Sequence, residues 1–423
     1  MKEDLIHLVW KLKKLDFNNL TTTDGESIEI KKFGFHNQNA GPDFLNGEII
    51  IGNTLWVGHI EMHINSSDWN KHKHQNDRAY NNVILHVVYN NDDVKVTNQS
   101  GQRIPTLVLK GRVSQKTIAN YEKLSENLDW VPCANSIHKV DDIRKSIFLE
   151  KVLIERLQDK CARINNILDH TQNDWEGSLY RLLLKYFGLK INGSAFEQLS
   201  HVTPYNYVRK LSDKSIALEA LLLGQAGLLS DKKDDYIDNL YTEYNHYKNK
   251  YSLIPMTGVE WRFSRLRPAN FPPVRIAQIA QLYHRSPQLF NDILNLKTVK
   301  DIYALLDVTA SEYWDTHYLP GKPSESKPKK IGQLTKELII INVIVPLLFS
   351  YGQRIDNNLY KDKAILLLEN VKAENNSIIR EWKTLGMNAK SGYDSQALLQ
   401  LKNEYCNNFN CLNCHIGQTI LFS

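Results

Sequence analysis

Asp43, Glu61 and His63 are the residues whose types and spacing best suit metal chemistry in this chain. Gly41-Pro42-Asp43-Phe44 opens an Ile- and Leu-rich run that ends at Ile51. Gly52 and Asn53 supply a turn, and Leu55 to Ile64 resumes with Trp, Val and Ile, a pattern that predicts a β-hairpin. Side chains alternate along a strand, so His59, Glu61 and His63 share one face while Ile60, Met62 and Ile64 take the packing face. A hairpin register that sets Asp43 beside Glu61 would bring two carboxylates together with one or two imidazoles. Hard carboxylate oxygens suit Mg²⁺ or Mn²⁺, and a bound cation lowers the pKa of a water and neutralises charge on a phosphodiester. His63 is then a general base near neutral pH, or a ligand that biases the site towards Mn²⁺, Zn²⁺ or Fe²⁺. The plainer alternative makes Asp43 a turn residue after Pro42 and leaves Glu61 and His63 on a solvent-facing sheet.

Further polar groups follow closely. His72, His74, Asp77 and His86 add three imidazoles and a carboxylate, and His86 interrupts the apolar run Val83-Ile84-Leu85-His86-Val87-Val88. His86 reads either as a core imidazole satisfied by structure or, with His59, Glu61 and His63, as part of a His-rich transition-metal site.

The elements that position these groups follow from periodicity. Asp4 to Lys14 places Leu5, Leu8, Val9, Leu12 and Leu15 on one helical face. Ser27 to Phe35, the hairpin, Val83 to Tyr89, Val94 to Thr97 and Thr106 to Leu109 read as strands, and Ser67 or Asp68 can cap a short polar helix after the hairpin. From Asp141 onwards the pattern becomes helical, through Ile147 to Ile167, Trp175 to Phe187, Ser215 to Leu229, Asp235 to Lys248, Val274 to Tyr283, Ile331 to Leu348 and Tyr360 to Asn370. Residues 320–330 are rich in Pro, Ser and Lys and read as a surface loop.

At 423 residues the chain exceeds a typical single core. The formal charge of +5 permits nucleic-acid binding without arguing for it, because an electrostatic footprint depends on clustering. The best apolar run, Leu338 to Phe349, is broken by Asn342 and Pro346 and reads as a buried helix, so no membrane association is expected. Acidic residues stand near the N-terminus, and no apolar core followed by a small-residue cleavage site appears there, which makes cytoplasmic residence the expectation.

Two other segments carry chemistry. Cys406, Cys411 and Cys414 cluster near the C-terminus, and Cys411-x2-Cys414 is a metal-chelating spacing for Zn²⁺ or an iron–sulfur cluster. Cys133 is the candidate fourth ligand, which would clip the C-terminus back to the start of the helical part; His415 is adjacent but awkwardly placed. Reduced thiols without a metal are the alternative, and Cys161, on a helical face with Leu157 and Ile164, reads as a small buried hydrophobe. Between Trp261 and Arg275, Arg262, Arg265, Arg267 and Arg275 stand among aromatics and prolines, where guanidinium groups can fork onto phosphates and rings can stack on bases. A structural turn whose arginines satisfy carbonyls and carboxylates is the competing reading.

Pro42-Asp43, followed after the hairpin turn by Glu61-Met62-His63, resembles the core motif of the PD-(D/E)xK nuclease superfamily, with His63 in place of the lysine. That resemblance covers the first quarter of the chain. It implies Asp43 and Glu61 as metal ligands, a water oriented or activated from position 63, and Glu3 on the first helix as an additional acidic ligand. The cysteine set resembles the iron–sulfur staple of some nucleases of that superfamily, although here the lone cysteine follows the nuclease-like segment. Over nearly the whole length GPDF, WVGHIEMHINSSDW, NNVILHVV, LLLGQAGLL, RLRPANFP and CLNCHIG together resemble a bacterial family catalogued as a domain of unknown function, which implies a shared two-part architecture and brings no activity with it.

The resulting expectation is an α+β chain. An α/β nuclease-like domain with a mixed sheet spans 1–125, and a larger all-α domain with the cysteine cluster spans 126–423. The expected activity is a metal-dependent, nuclease-like phosphodiesterase acting on nucleic acid. The alternatives are a non-catalytic nucleic-acid or protein-binding factor with a degenerate nuclease module, and a His-rich transition-metal enzyme.

Overall fold

Apolar residues three and four apart make Glu3–Lys11 an amphipathic helix, α1, with Leu5, Ile6, Leu8, Val9 and Trp10 buried. The computed structural model describes residues 2–37, 39–229 and 234–423. After α1 come strands β1 (Ile28–Lys32), β2 (Phe35–His36), β3 (Phe44–Ile51) and β4 (Thr54–Asn65), the helical turn α2 (Asp68–Lys71), then β5 (Val83–Asn90), β6 (Thr106–Val108) and helix α3 (Gln115–Glu126).

The sheet runs β1-β3-β4-β5-β6, with β2 paired to the end of β3. Pairings β1·β3 and β3·β4 are antiparallel, whereas β4·β5 and β5·β6 are parallel, so the sheet is mixed. Ile49, Ile60, Met62, Leu85, Val87 and Leu107 pack with Leu5, Val9 and Trp10 of α1 in one core. Each such side chain, fully buried, contributes roughly 1.5–3 kcal/mol. The expected strand over Val94 to Thr97 is reduced to a single bridge, Thr97 to Arg103. The Asn98 carboxamide oxygen accepts the backbone N–H groups of Ser100 and Gln102 at 3.1 and 3.0 Å, and that side-chain turn competes with a longer ladder.

The chain divides into two compact units, Met1–Phe148 with Leu401–Ser423, and Leu149–Gln400. Residue 126 therefore lies inside the first unit, and the C-terminal segment belongs to it as well. Leu421 is part of the sheet core, Leu412 and Phe422 pack against that core, and Asn120 Nδ2 donates to the Ile420 and Leu421 carbonyls at 3.0 and 3.3 Å.

The second unit is built mainly of helices, among them Trp175–Phe187, Ser215–Gln225, Asp235–Tyr251 and Pro272–Arg285. The small-residue run in LLLGQAGLL has a packing cause, since a Cβ on Gly224 would lie 2.2 Å from the Tyr244 ring. Helical structure continues over Gln333–Arg354 because a π-turn at Ile340–Ile344 carries the chain past Asn342 to Pro346. This 22-residue run is longer than the sequence suggested, and by length and composition it could cross a membrane. However, 78% of its apolar window is buried, as a core helix would be.

Candidate metal centre

The β3–β4 hairpin locks Asp43 and Glu61 together through backbone. The Asp43 N–H donates to Glu61 Oε2 at 3.1 Å, and the Met62 N–H donates to Asp43 Oδ2 at 2.9 Å. A register shift between Phe44 and Gly47, with Asn46 left-handed at φ 58°, bulges β3 at this point. The Asn46 N–H, displaced from the ladder, donates to His59 Nδ1 at 3.3 Å. His59 thus serves the bulge, whereas Glu61 and His63 face the cluster.

Imidazoles gather around the free carboxylate oxygen. His74 Nε2 lies 3.2 Å and His63 Nε2 3.6 Å from Glu61 Oε1. His63 Nε2 is 3.1 Å from His72 Nδ1, while His63 Nδ1 is 2.8 Å from His86 Nε2 on the neighbouring strand. One ring nitrogen from each of His63, His72 and His74 falls within 4.8 Å of the others. Lys73, left-handed at φ 63°, reverses the chain between the last two, and His74 stacks on Tyr80 at 3.8 Å. Trp69, fully buried, closes the apolar side against the rings of His63, His74 and His86.

Helix α1 supplies the opposite wall. Glu3 and His7, four residues apart, share one helical face, and His7 Nε2 lies 3.3 Å from Asp43 Oδ2. Glu3 is close enough to His7, His72 and Asp43 for their charges to bear on its ionisation. The result is a cup. Its floor of Glu61, His63, His74 and His86 is buried, its rim of Glu3, His7 and Asp43 is half-buried, and His72 is exposed. His7 Nε2 and His74 Nε2 sit at ion-pair distance from carboxylates without making a hydrogen bond, and His86 Nδ1 is likewise unpartnered. Buried polar atoms of this kind are uncommon unless something else engages them.

The electrostatics match a cation site. Burial and then the Asp43 charge push the Glu61 carboxyl up to about 9. Burial and the neighbouring imidazoles hold His63 down to about 2, and burial holds His86 down to about 3. His74 is lowered by burial. Burial pulls His7 the same way, but the Asp43 carboxylate beside it, with the charges of Glu3 and Asp4, outweighs burial and raises His7 overall. Neutral imidazoles are the form that binds metal. A His63 kept neutral so far below pH 7 suits a ligand better than a general base.

The sequence pattern pointed to Asp43, Glu61 and His63, and these three meet. Glu3 stands beside them. His72 and His74, noted only as nearby polar residues, prove to be part of the cluster. His7 carried no motif at all; its one signal was the four-residue spacing from Glu3.

The other candidate residues lie elsewhere. Arg262, Arg265 and Arg267 are exposed in the second unit. Arg275 is only 3% exposed and turned inward, donating to Asn270, Gln278 and Thr335 at 2.5, 3.0 and 2.9 Å, which makes it a structural residue with no face for a phosphate. Cys133, Cys406, Cys411 and Cys414 all fall in the first unit, joined by no disulfide. Cys161 is buried on its helix, as expected of a small hydrophobe.

No curated protein and no solved structure matches the chain. A family model covers residues 3–377, and the chain belongs to that family, described as "Protein of unknown function (DUF2851)".

Proposed function

We propose that the first unit is a metal-dependent phosphodiesterase of the nuclease-like kind. Asp43 and Glu61 hold a divalent cation, and His63, His72 and His74 add nitrogen ligands. The observation that carries this reading is the reciprocal backbone clamp between Asp43 and Glu61, which leaves Glu61 Oε1 facing His74 and His63 at 3.2 and 3.6 Å. Mixed carboxylate and imidazole donors favour Mn²⁺ or another first-row ion over Mg²⁺. Such a cation supplies a more acidic water and neutralises charge on a phosphate. The chain's own groups hold it, keep solvent from the buried floor and, at His7 Nε2 beside Asp43, move a proton. The phosphodiester part of the reading is supported by helix and strand order: a helix, an antiparallel strand set carrying Asp43 and Glu61, a helical turn, then a strand parallel to β4.

Cleavage of labelled single- and double-stranded DNA and RNA with Mn²⁺, Mg²⁺ or Zn²⁺ tests the reading. Mn²⁺-supported cleavage that falls to background in Asp43→Ala and Glu61→Ala is expected. Salt-sensitive binding without cleavage would instead make the chain a non-catalytic nucleic-acid factor. A second reading, a His-rich transition-metal enzyme acting on another substrate, is favoured specifically by the His63–His72–His74 trio. Tight Zn²⁺ binding with no cleavage of any nucleic acid would select it.

A further inference from the structure

Cys133 and the three C-terminal cysteines are brought together by four short turns. The Cys133 carbonyl accepts the N–H groups of Ser136 and Ile137, both at 2.9 Å, forming a tight bend before the 3-10 turn Ile137–Lys139. Cys406 ends the helical segment Leu401–Cys406, after which Phe409, left-handed at φ 51°, reverses the chain. Cys411 and Cys414 bracket another 3-10 turn, closed by the Cys414 N–H onto the Cys411 carbonyl at 3.2 Å. The closing helix, His415–Leu421, packs on both the Cys411–Asn413 turn and the Ile137–Lys139 turn. A Cβ on Gly417 would stand 2.3 Å from the Cys411 carbonyl oxygen, so the closeness of that approach depends on glycine. His415 is engaged elsewhere, stacked on Phe148 with ring centroids 5.0 Å apart.

Cys133, Cys406 and Cys414 are buried and Cys411 is half-buried. The Cys411 and Cys414 thiols bear on the ionisation of Cys133, and all three bear on that of Cys406, so the four sulfur atoms share one neighbourhood. Lys402 supplies a positive charge beside Cys406. Spacing then discriminates between metals. A single tetrahedral zinc, with Zn–S about 2.3 Å, draws its sulfurs to roughly 3.8 Å of one another. Among the described residues, only the histidine trio has three ligand atoms all within 4.8 Å; no three of these thiols do. We propose that Cys133, Cys406, Cys411 and Cys414 bind an iron–sulfur cluster, whose cysteines sit on the corners of a cluster rather than around one ion. Within the first unit the cluster clips the C-terminal segment to the Cys133 turn. This assignment is independent of the Asp43–Glu61 centre.

Full-length protein purified without oxygen, assayed for iron, acid-labile sulfide, zinc and visible absorption, tests the proposal. Iron and sulfide with charge-transfer absorption are expected in the wild type and in Cys161→Ser, with loss of both in Cys133→Ser and Cys411→Ser. Retained helical circular dichroism in those variants would show that the loss is local. Zinc in place of iron, absence of either metal from the wild type, or undiminished iron in Cys133→Ser would each overturn it.

Discussion

Two buried glutamates, one in each unit, look alike in sequence and behave differently in structure. Glu219, on the helix Ser215–Gln225, is fully buried, and its oxygens are filled: Trp314 Nε1 and Tyr236 Oη donate to Oε1 at 2.7 and 3.0 Å, and Ser311 Oγ donates to Oε2 at 2.8 Å. Glu61, 5% exposed, has one backbone donor on Oε2, and its Oε1 faces imidazole nitrogens that form no hydrogen bond with it. Burial raises both carboxyls. The difference is in saturation: a structural carboxylate has its acceptors used up, whereas Glu61 keeps an oxygen open beside a His74 nitrogen that is also unspent.

The contrast is open to direct attack. Glu219→Ala strands the buried Trp314 donor and the half-buried Tyr236 and Ser311 hydroxyls and leaves a cavity, and should cost on the order of 4 kcal/mol in urea unfolding while metal uptake by the first unit stays unchanged. Arg275→Ala, which removes a buried guanidinium that donates to Asn270, Gln278 and Thr335, should cost about 2 kcal/mol by the same measurement.

Lys160 extends the comparison to a buried cation. Its ammonium donates to the Asn342 and Gln396 side chains at 3.0 and 2.9 Å, and burial pushes it down to about 7 from 10.5. Between those two values the unfolded chain holds a proton that the folded chain does not. Stability should therefore rise with pH across that window, and Lys160→Met should remove the rise in melts from pH 7 to 10. Glu61→Gln, by contrast, should shift stability by less than about 1 kcal/mol. Smallest of all, replacing Arg262, Arg265 and Arg267 together by Ala should move stability by no more than about 0.5 kcal/mol. If that surface meets nucleic acid, the same triple variant should also lower the salt dependence of binding.

Much of the first unit was legible in sequence. Alternation put Glu61 and His63 on one face, and the Gly52-Asn53 turn set the hairpin that carries Asp43 to Glu61. The α+β organisation followed from the change of period after residue 140. What escaped the sequence were long-range and local-geometry effects. His7 joins the site because α1 packs against the sheet, and His74 joins it because Lys73 adopts a left-handed conformation. The bulge at Asn46 takes His59 out of the cluster that alternation alone would include it in. In the second unit, Arg275 sits in a run that reads as basic and aromatic, yet its burial and its bond to Thr335, 60 residues away, reveal that it is engaged in structure.

The most direct test is calorimetric titration of metal-free protein with Mn²⁺, comparing wild type with Glu61→Ala and with Asp43→Ala. The open oxygen of Glu61 predicts one saturable site in the wild type, weakened at least about tenfold in both variants while they remain folded. Equal affinity in wild type and folded Glu61→Ala would show that this carboxylate is as structural as Glu219, and would contradict the metal centre.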